Sequence, residues 1–177
     1  QHAKTILQLS QAHELNSLPD TAMKAIEYNL AQLHSQAQQH QKSMKFLRLW
    51  LMRNPNLSGQ QHIFASYVLT QGKHYQDAIQ HCQTAIQQVQ PAPNSWYEML
   101  ASIYLMQQQY KKAISIYKTL IKRQPQQLKY WQQLTQLYLQ TQQPQQALAT
   151  LVLADEQHLI NKPAEILQLV NLYNQRK

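Results

Sequence analysis

Residues 94–127 read NSWYEMLASIYLMQQQYKKAISIYKTLIKRQPQQ, and residues 128–161 read LKYWQQLTQLYLQTQQPQQALATLVLADEQHLIN. The two strings carry one pattern twice. Tyr97, Leu100, Ala101, Tyr104, Ala113 and Tyr117 in the first correspond to Trp131, Leu134, Thr135, Tyr138, Ala147 and Leu151 in the second. Ala113 and Ala147 are 34 residues apart, as are Tyr97 and Trp131, and Tyr104 and Tyr138. Within a pass, Tyr97, Leu100, Ala101 and Tyr104 fall at i, i+3, i+4 and i+7, one face of a helix. Ala113, Tyr117 and Leu120 fall at i, i+4 and i+7 and make a second helix. Ala101 and Ala113 are small, so the two axes can approach closely, and the tyrosines fill the space around that contact. Gln107 to Gln109 form the turn, and Pro125 closes the unit because it cannot continue a helix. One such pair cannot bury its apolar stripe; stacked pairs bury each other's.

The aromatic, Leu, small residue, Tyr, Ala, aromatic, Pro spacing resembles the tetratricopeptide repeat (TPR). The resemblance implies an all-α fold, a right-handed TPR superhelix of about ten helices with a C-terminal capping helix. It also implies that first helices line a concave groove and second helices form the outer wall. The whole chain, 1–177, is then one solenoid domain.

Working outward, 59–92 is a repeat with Tyr75, Ala78, Cys82 and Ala85 at good spacing. His62, Ala65, Ser66 and Leu69 fit its first helix more loosely. Ala78 to Ala113 is 35 residues, which places one extra residue near Gln90–Pro93. Residues 24–57 are a degenerate repeat, with helices expected over 21–38 and 41–53. There Leu30-Ala31, Leu47 and Pro55 match, Ser43 replaces the usual Ala, and Glu27 and His34 replace aromatics. Ala3 to Leu15 reads as a further helix, either half a repeat or an N-terminal cap. Ser17-Leu18-Pro19-Asp20 breaks the chain and restarts it, with Asp favoured at a helix start. Beyond the repeats 94–127 and 128–161, residues 163–177 restart a helix with Ile166, Leu169, Val170 and Tyr173. It is read as a cap, or as half of another repeat in a longer chain.

Composition narrows the function classes. The 177 residues are enough for a continuous core. Glutamine makes up about a fifth of the chain and sits between the apolar positions, as uncharged helix-tolerant surface. Sixteen basic against eight acidic residues give a formal charge of +8. The charges form no nucleic-acid module, so no nucleic-acid partner is expected. Cys82 is the only cysteine, so no intrachain disulfide can form, and it occupies a core position. The eight histidines have no i, i+4 pairing with a nearby carboxylate, so no metal is expected. No phosphate loop or nucleophile elbow is present, so neither an enzyme nor a cofactor is expected.

The expected working surface is the side of the first helices away from their packing stripe. It comprises Tyr28, Asn29 and Gln32, then Ile63, Phe64 and Tyr67. Glu98, Met99, Ser102, Leu105 and Met106 follow, and then Gln132, Gln133 and Gln136. Apolar side chains rimmed by amides suit an extended peptide or a docked helix. Stacking is expected to bring Phe64, Tyr67, Met99 and Met106 onto one wall. The second helices carry the clustered charge, Lys42, Lys45 and Arg48 in one and Lys111, Lys112, Lys118 and Lys122 in another. That face is read as solvated, with anionic lipid or an acidic partner as the sharper alternative and membrane contact at most peripheral.

A narrower resemblance lies toward the C-terminus. Lys129-Tyr130-Trp131-Gln132-Gln133-Leu134, Leu137-Tyr138, Ala147 to Leu151, Ala154-Asp155, His158-Leu159-Ile160 and Glu165 to Tyr173 carry it, with Asn94 to Tyr97 and Tyr104. These resemble TPR proteins of Gram-negative bacteria described as components of TonB-dependent energy transduction. The resemblance implies a periplasmic adaptor beside a TonB–ExbB–ExbD-type machine. The second class of function is a scaffold or assembly factor for a pilus, secretion or outer-membrane complex. A cytoplasmic regulator is the third.

Overall fold

The computed structural model describes residues 2–14, 18–160, 167 and 171. Among these, nine helices and no strands occur: α1 (His2–Glu14), α2 (Asp20–Gln36), α3 (His40–Arg53), α4 (Gly59–Gln71), α5 (Tyr75–Gln88), α6 (Asn94–Met106), α7 (Tyr110–Arg123), α8 (Leu128–Gln140) and α9 (Pro144–Glu156). This is the all-α helical repeat that the 34-residue period implies. The expected cap over 163–177 lies outside the described residues, apart from the helical Leu167 and Asn171.

The helices pair as hairpins, α2 with α3, α4 with α5, α6 with α7 and α8 with α9. The chain divides into two compact units, residues 1–92 and 93–177. In unit 1, α1 packs on α2 and α3 on α4; in unit 2, α7 packs on α8. The extra residue near Gln90–Pro93 falls where one unit passes to the next.

Each hairpin closes at the same small-residue contact. Ala31 and Ser43, Ser66 and Ala78, Ala101 and Ala113, and Thr135 and Ala147 occupy matching positions, and all are buried. Where a serine stands, its hydroxyl spans the contact. Ser43 Oγ donates to the Ala31 carbonyl, and Ser66 Oγ to the Ala78 carbonyl, each at 2.8 Å. The hydroxyl of Thr135 has no such partner.

Each hairpin also turns the same way, without the glycine that usually makes this turn. Gln38, Lys73, Gln108 and Gln142 all have φ between 55° and 62°, the left-handed region. The residue after each donates its N–H to the carbonyl five residues back: Gln39 to His34, His74 to Leu69, Gln109 to Tyr104 and Gln143 to Tyr138, all at 2.8 Å. The left-handed residue itself bonds three back, completing a Schellman motif. This ends α2 at Gln36, two residues short of the expected boundary. Gly72 sits one position before the left-handed residue, with ordinary φ −77°. Its place is explained by crowding instead: a Cβ there would lie 3.0 Å from the Met44 side chain.

The first helices bury two faces. On α6 the expected stripe of Leu100, Ala101 and Tyr104 is buried, and so are Trp96 and Ile103 beside it. On α8, Tyr130 and Leu137 repeat that second face. A helix held by its own partner and by a neighbouring hairpin needs both.

Candidate functional site

In unit 1 the expected surface residues gather around an aromatic cluster. Tyr28 on α2 lies 4.9 Å from the ring of Trp50 on α3 and 5.0 Å from Phe64 on α4. Burial pushes the Tyr28 phenol above its ordinary value. Tyr28, Gln32, Ile63 and Phe64 are half-buried, whereas Asn29 and Tyr67 stand exposed. Tyr67 leaves 45% of its surface open.

In unit 2, Met99 and Leu105 are half-buried on α6, and Ser102 and Met106 are exposed. Gln132, Gln133 and Gln136 are exposed on α8. Glu98 is engaged within the fold. Its Oε1 accepts from the Tyr130 hydroxyl at 2.5 Å and lies 2.8 Å from Lys129 Nζ. Burial works against its ionisation, but Lys129 and Tyr130 outweigh it and hold the carboxyl below the usual range. Tyr130 pays the reciprocal cost, since burial and then Glu98 push its phenol up to about 12. Glu98 therefore ties α6 to α8 and presents little free charge to a ligand.

The second-helix charges take two forms. In unit 2 several lie over tyrosine rings, Lys112 over Tyr104 at 5.4 Å and Lys118 over Tyr138 at 5.8 Å. Arg123 lies 4.9 Å from the centre of Tyr97 and donates to Asn94 Oδ1. In unit 1, Lys45 likewise lies 5.6 Å from the centre of the Phe46 ring, and with Arg48, Lys73, His40 and His74 it also surrounds an open cleft of about 630 Å³.

Three arrangements in unit 1 were not foreseen from the residue spacing. Glu27 is fully buried, with Arg53 Nε at 3.0 Å and His13 Nε2 at 3.5 Å. Arg53 reaches on to Asp20 at 3.1 Å. His62 and His81, 19 residues apart, place their Nδ1 atoms 2.8 Å from one another. Burial lowers the affinity of both rings for a proton; at His81 the His62 charge adds to this and Asp77 opposes it. The ring of His34 stacks on Phe46 with 4° between planes, and His13 meets the same ring edge-on. Their common cue is an ionisable residue at a position that elsewhere in the repeat is aromatic or apolar.

Cys82 is fully buried, and burial pushes its thiol up to about 12, far from a reactive thiolate. Among the described residues no group of three or more His, Cys, Asp or Glu could hold a metal ion. No helix among them is long and apolar enough to cross a membrane.

These features define a helical-hairpin repeat protein whose first helices carry a partly open apolar face. The tetratricopeptide repeat model matches residues 69–137 and again 104–159, together just over half of the chain, and the chain belongs to that family. By class it is a protein–protein interaction module. Solved structures share its fold. A crystal structure of MamA has a TM-score of 0.67 at 15% identity, over 89% of this chain and 88% of that one. The C-terminal part of a TPR repeat-containing protein from Cytophaga hutchinsonii gives 0.69 at 15% identity, over 97% and 65%. The structure of Naa15/Naa10 bound to HypK-THB gives 0.66 at 14%, over 99% and 27%. A search of the curated proteins finds no match.

Proposed function

We propose that the chain is a non-catalytic adaptor that holds a peptide or protein partner on the exposed face of its first helices. The observation that carries this is the partly open apolar surface of Ile63, Phe64 and Tyr67 on α4, with Met99, Leu105 and Met106 supplying its counterpart on α6. Exposed aromatics on a rigid hairpin lose little freedom on binding, and such anchors dominate interface energy. Photo-crosslinking residues placed at Tyr67 and Met106, and separately at Lys118 and Lys122, test it. Capture at the first two positions supports the reading; capture only at the lysines transfers it to the second helices. With the captured partner in hand, Phe64→Ala or Tyr67→Ala should weaken binding about thirtyfold, the equivalent of about 2 kcal/mol, without loss of helicity.

The resemblance carried by residues 129–173 supports a periplasmic setting and a partner in a TonB–ExbB–ExbD-type energy-transduction system. Recovery of ExbB- or ExbD-type proteins from the crosslinked envelope fraction is the expected result. A pilus, secretion or outer-membrane component would replace it with a scaffold role, and a cytoplasmic partner would remove both.

A further inference from the structure

The cleft between α3 and the α4–α5 turn lies wholly within unit 1 and belongs to the other side of the hairpins' sequence pattern, the second helices and turns. Its cations are Lys45 and Arg48 from α3 and Lys73 from the turn, and no Asp or Glu lines it. Arg48 Nη2 stands 3.3 Å from His74 Nε2. A guanidinium donating to an imidazole in an otherwise basic surround lacks the carboxylate it would ordinarily meet. Lys73 is fixed there by the backbone, because the Schellman turn holds it in the left-handed region. Met44 and Leu49 give the cleft an apolar floor, and Gly72, lacking a Cβ, lets the turn pack close against Met44.

We propose that this cleft binds an acidic peptide segment, carboxylates to Arg48, Lys45 and Lys73 and an apolar side chain on Met44 and Leu49. Charge complementarity selects the sign of the ligand, and the floor selects its kind. A bare phosphate would gain nothing from Met44 and Leu49. A nucleic acid would want broad aromatic platforms for its bases, but no Phe, Tyr or Trp lines the cleft, and the His74 imidazole is engaged by Arg48. The volume suits a few residues of extended chain. The corresponding crevice of unit 2, between the start of α7 and the α8–α9 turn, is lined by Gln108, Gln109, Tyr110, Lys111 and Lys112 with Thr141 and Gln143. No arginine lines it, and the α8–α9 turn has Gln142 at the left-handed position that Lys73 holds in unit 1, so it serves as an internal control.

The probe is a short fluorescein-labelled peptide of alternating glutamate and leucine, titrated into the full chain and followed by anisotropy. The glutamine–leucine version, inorganic phosphate and vesicles containing phosphatidylglycerol run alongside. Saturable binding of the glutamate peptide is expected, falling with added salt. Arg48→Gln should weaken it about tenfold and Lys73→Glu at least as much, whereas Lys111→Glu should leave it nearly unchanged. Circular dichroism of each variant confirms folding, and Arg48→Lys, which keeps the charge but not the planar fork, should retain only part of the affinity. Equal loss with Lys111→Glu would show diffuse attraction to a basic protein and overturn the proposal. So would equal binding of the glutamine peptide, or Arg48-dependent binding to phosphate or vesicles with none to the peptide. Phe64→Ala is silent in this assay, so failure here and failure of the first-helix reading are separable.

Discussion

The two units build one hairpin from different chemistry. Eleven residues before each left-handed turn residue, unit 2 places Tyr97 and Trp131, and unit 1 places Glu27 and His62. Fifteen residues after the turn, both units place an arginine, Arg53 and Arg123. In unit 2 that arginine covers the Tyr97 ring; in unit 1 it neutralises buried Glu27. Seven of the eight histidines fall in unit 1, and only His158 falls in unit 2. The difference teaches what the repeat requires at these positions: a bulky group that its surroundings satisfy. A ring does this by packing alone. An ionisable group does it only while a partner and a protonation state are maintained, so unit 1 carries the more conditional stability.

Removing the matched arginines should break the symmetry most visibly. Arg53→Ala leaves the fully buried Glu27 carboxylate with only His13, 3.5 Å away, and should be the most destabilising of these substitutions. Arg123→Ala loses a cation–π contact and a hydrogen bond to Asn94, about 1 kcal/mol. Urea unfolding separates the two, with Trp50 reporting on unit 1 and Trp96 and Trp131 on unit 2. Equal costs would mean that Glu27 is satisfied without Arg53, and the contrast between units would fail.

Acid comes next. His62 and His81 bind protons less readily folded than unfolded, so the unfolded chain takes up more of them as pH falls. Stability is therefore full above the ordinary histidine value and declines as pH drops below it, through the lowered values of the pair. Glu98 in unit 2 acts in a lower window: its contribution is present above the ordinary carboxylate value and is lost as pH falls through its depressed one. Between about pH 7.5 and 5.5 the Trp50 transition should move to lower urea while the Trp96 and Trp131 transitions hold. His62→Tyr, which installs a residue of the kind unit 2 uses, should flatten the slope. A slope unchanged by that substitution would clear the pair of responsibility.

The small-residue contact offers a finer comparison, and it shows what spacing reveals and hides. The Ala101–Ala113 approach was legible because both residues are small and recur at the repeat period. The same positions read Ser43 and Ser66 in unit 1, and there the spacing marks burial but gives no partner. A hydroxyl's acceptor is a carbonyl on the opposing helix, twelve residues away, which only the folded hairpin brings near. Glu27–Arg53 and His62–His81 were hidden for the same reason, as were Trp96 and Ile103, since an i, i+3, i+4 stripe describes one face of a helix that buries two. Glu98 was legible as a first-helix residue, but its engagement by Tyr130 and Lys129 required the fold. Ser43→Ala and Ser66→Ala should each cost about 1 kcal/mol, the scale of a net buried hydrogen bond. Thr135→Ala removes a buried hydroxyl that has no partner, so relief of that cost should offset the lost methyl and leave stability within about 0.5 kcal/mol. A full 1 kcal/mol loss at Thr135 would reveal an acceptor there.

The turns are where the units agree, and they give the smallest expected effect. Lys73 in unit 1 and Gln108 in unit 2 both hold φ near 60° with a side chain that crowds the following carbonyl. Glycine removes that crowding but makes the unfolded chain freer, so each of Lys73→Gly and Gln108→Gly should gain only about 0.5–1 kcal/mol. Both should do so in the same hairpin geometry, because the bonds from His74 to Leu69 and from Gln109 to Tyr104 use backbone alone. Function should then part them. Gln108→Gly should be more stable and otherwise unchanged, whereas Lys73→Gly should be more stable and yet weaken the acidic peptide at the unit 1 cleft, because that lysine lines the cleft. Denaturation midpoints and peptide anisotropy on the same two variants read both quantities. If Lys73→Gly keeps full peptide affinity, Lys73 is there only to make the turn, and the basic cleft loses the cation that the turn positions.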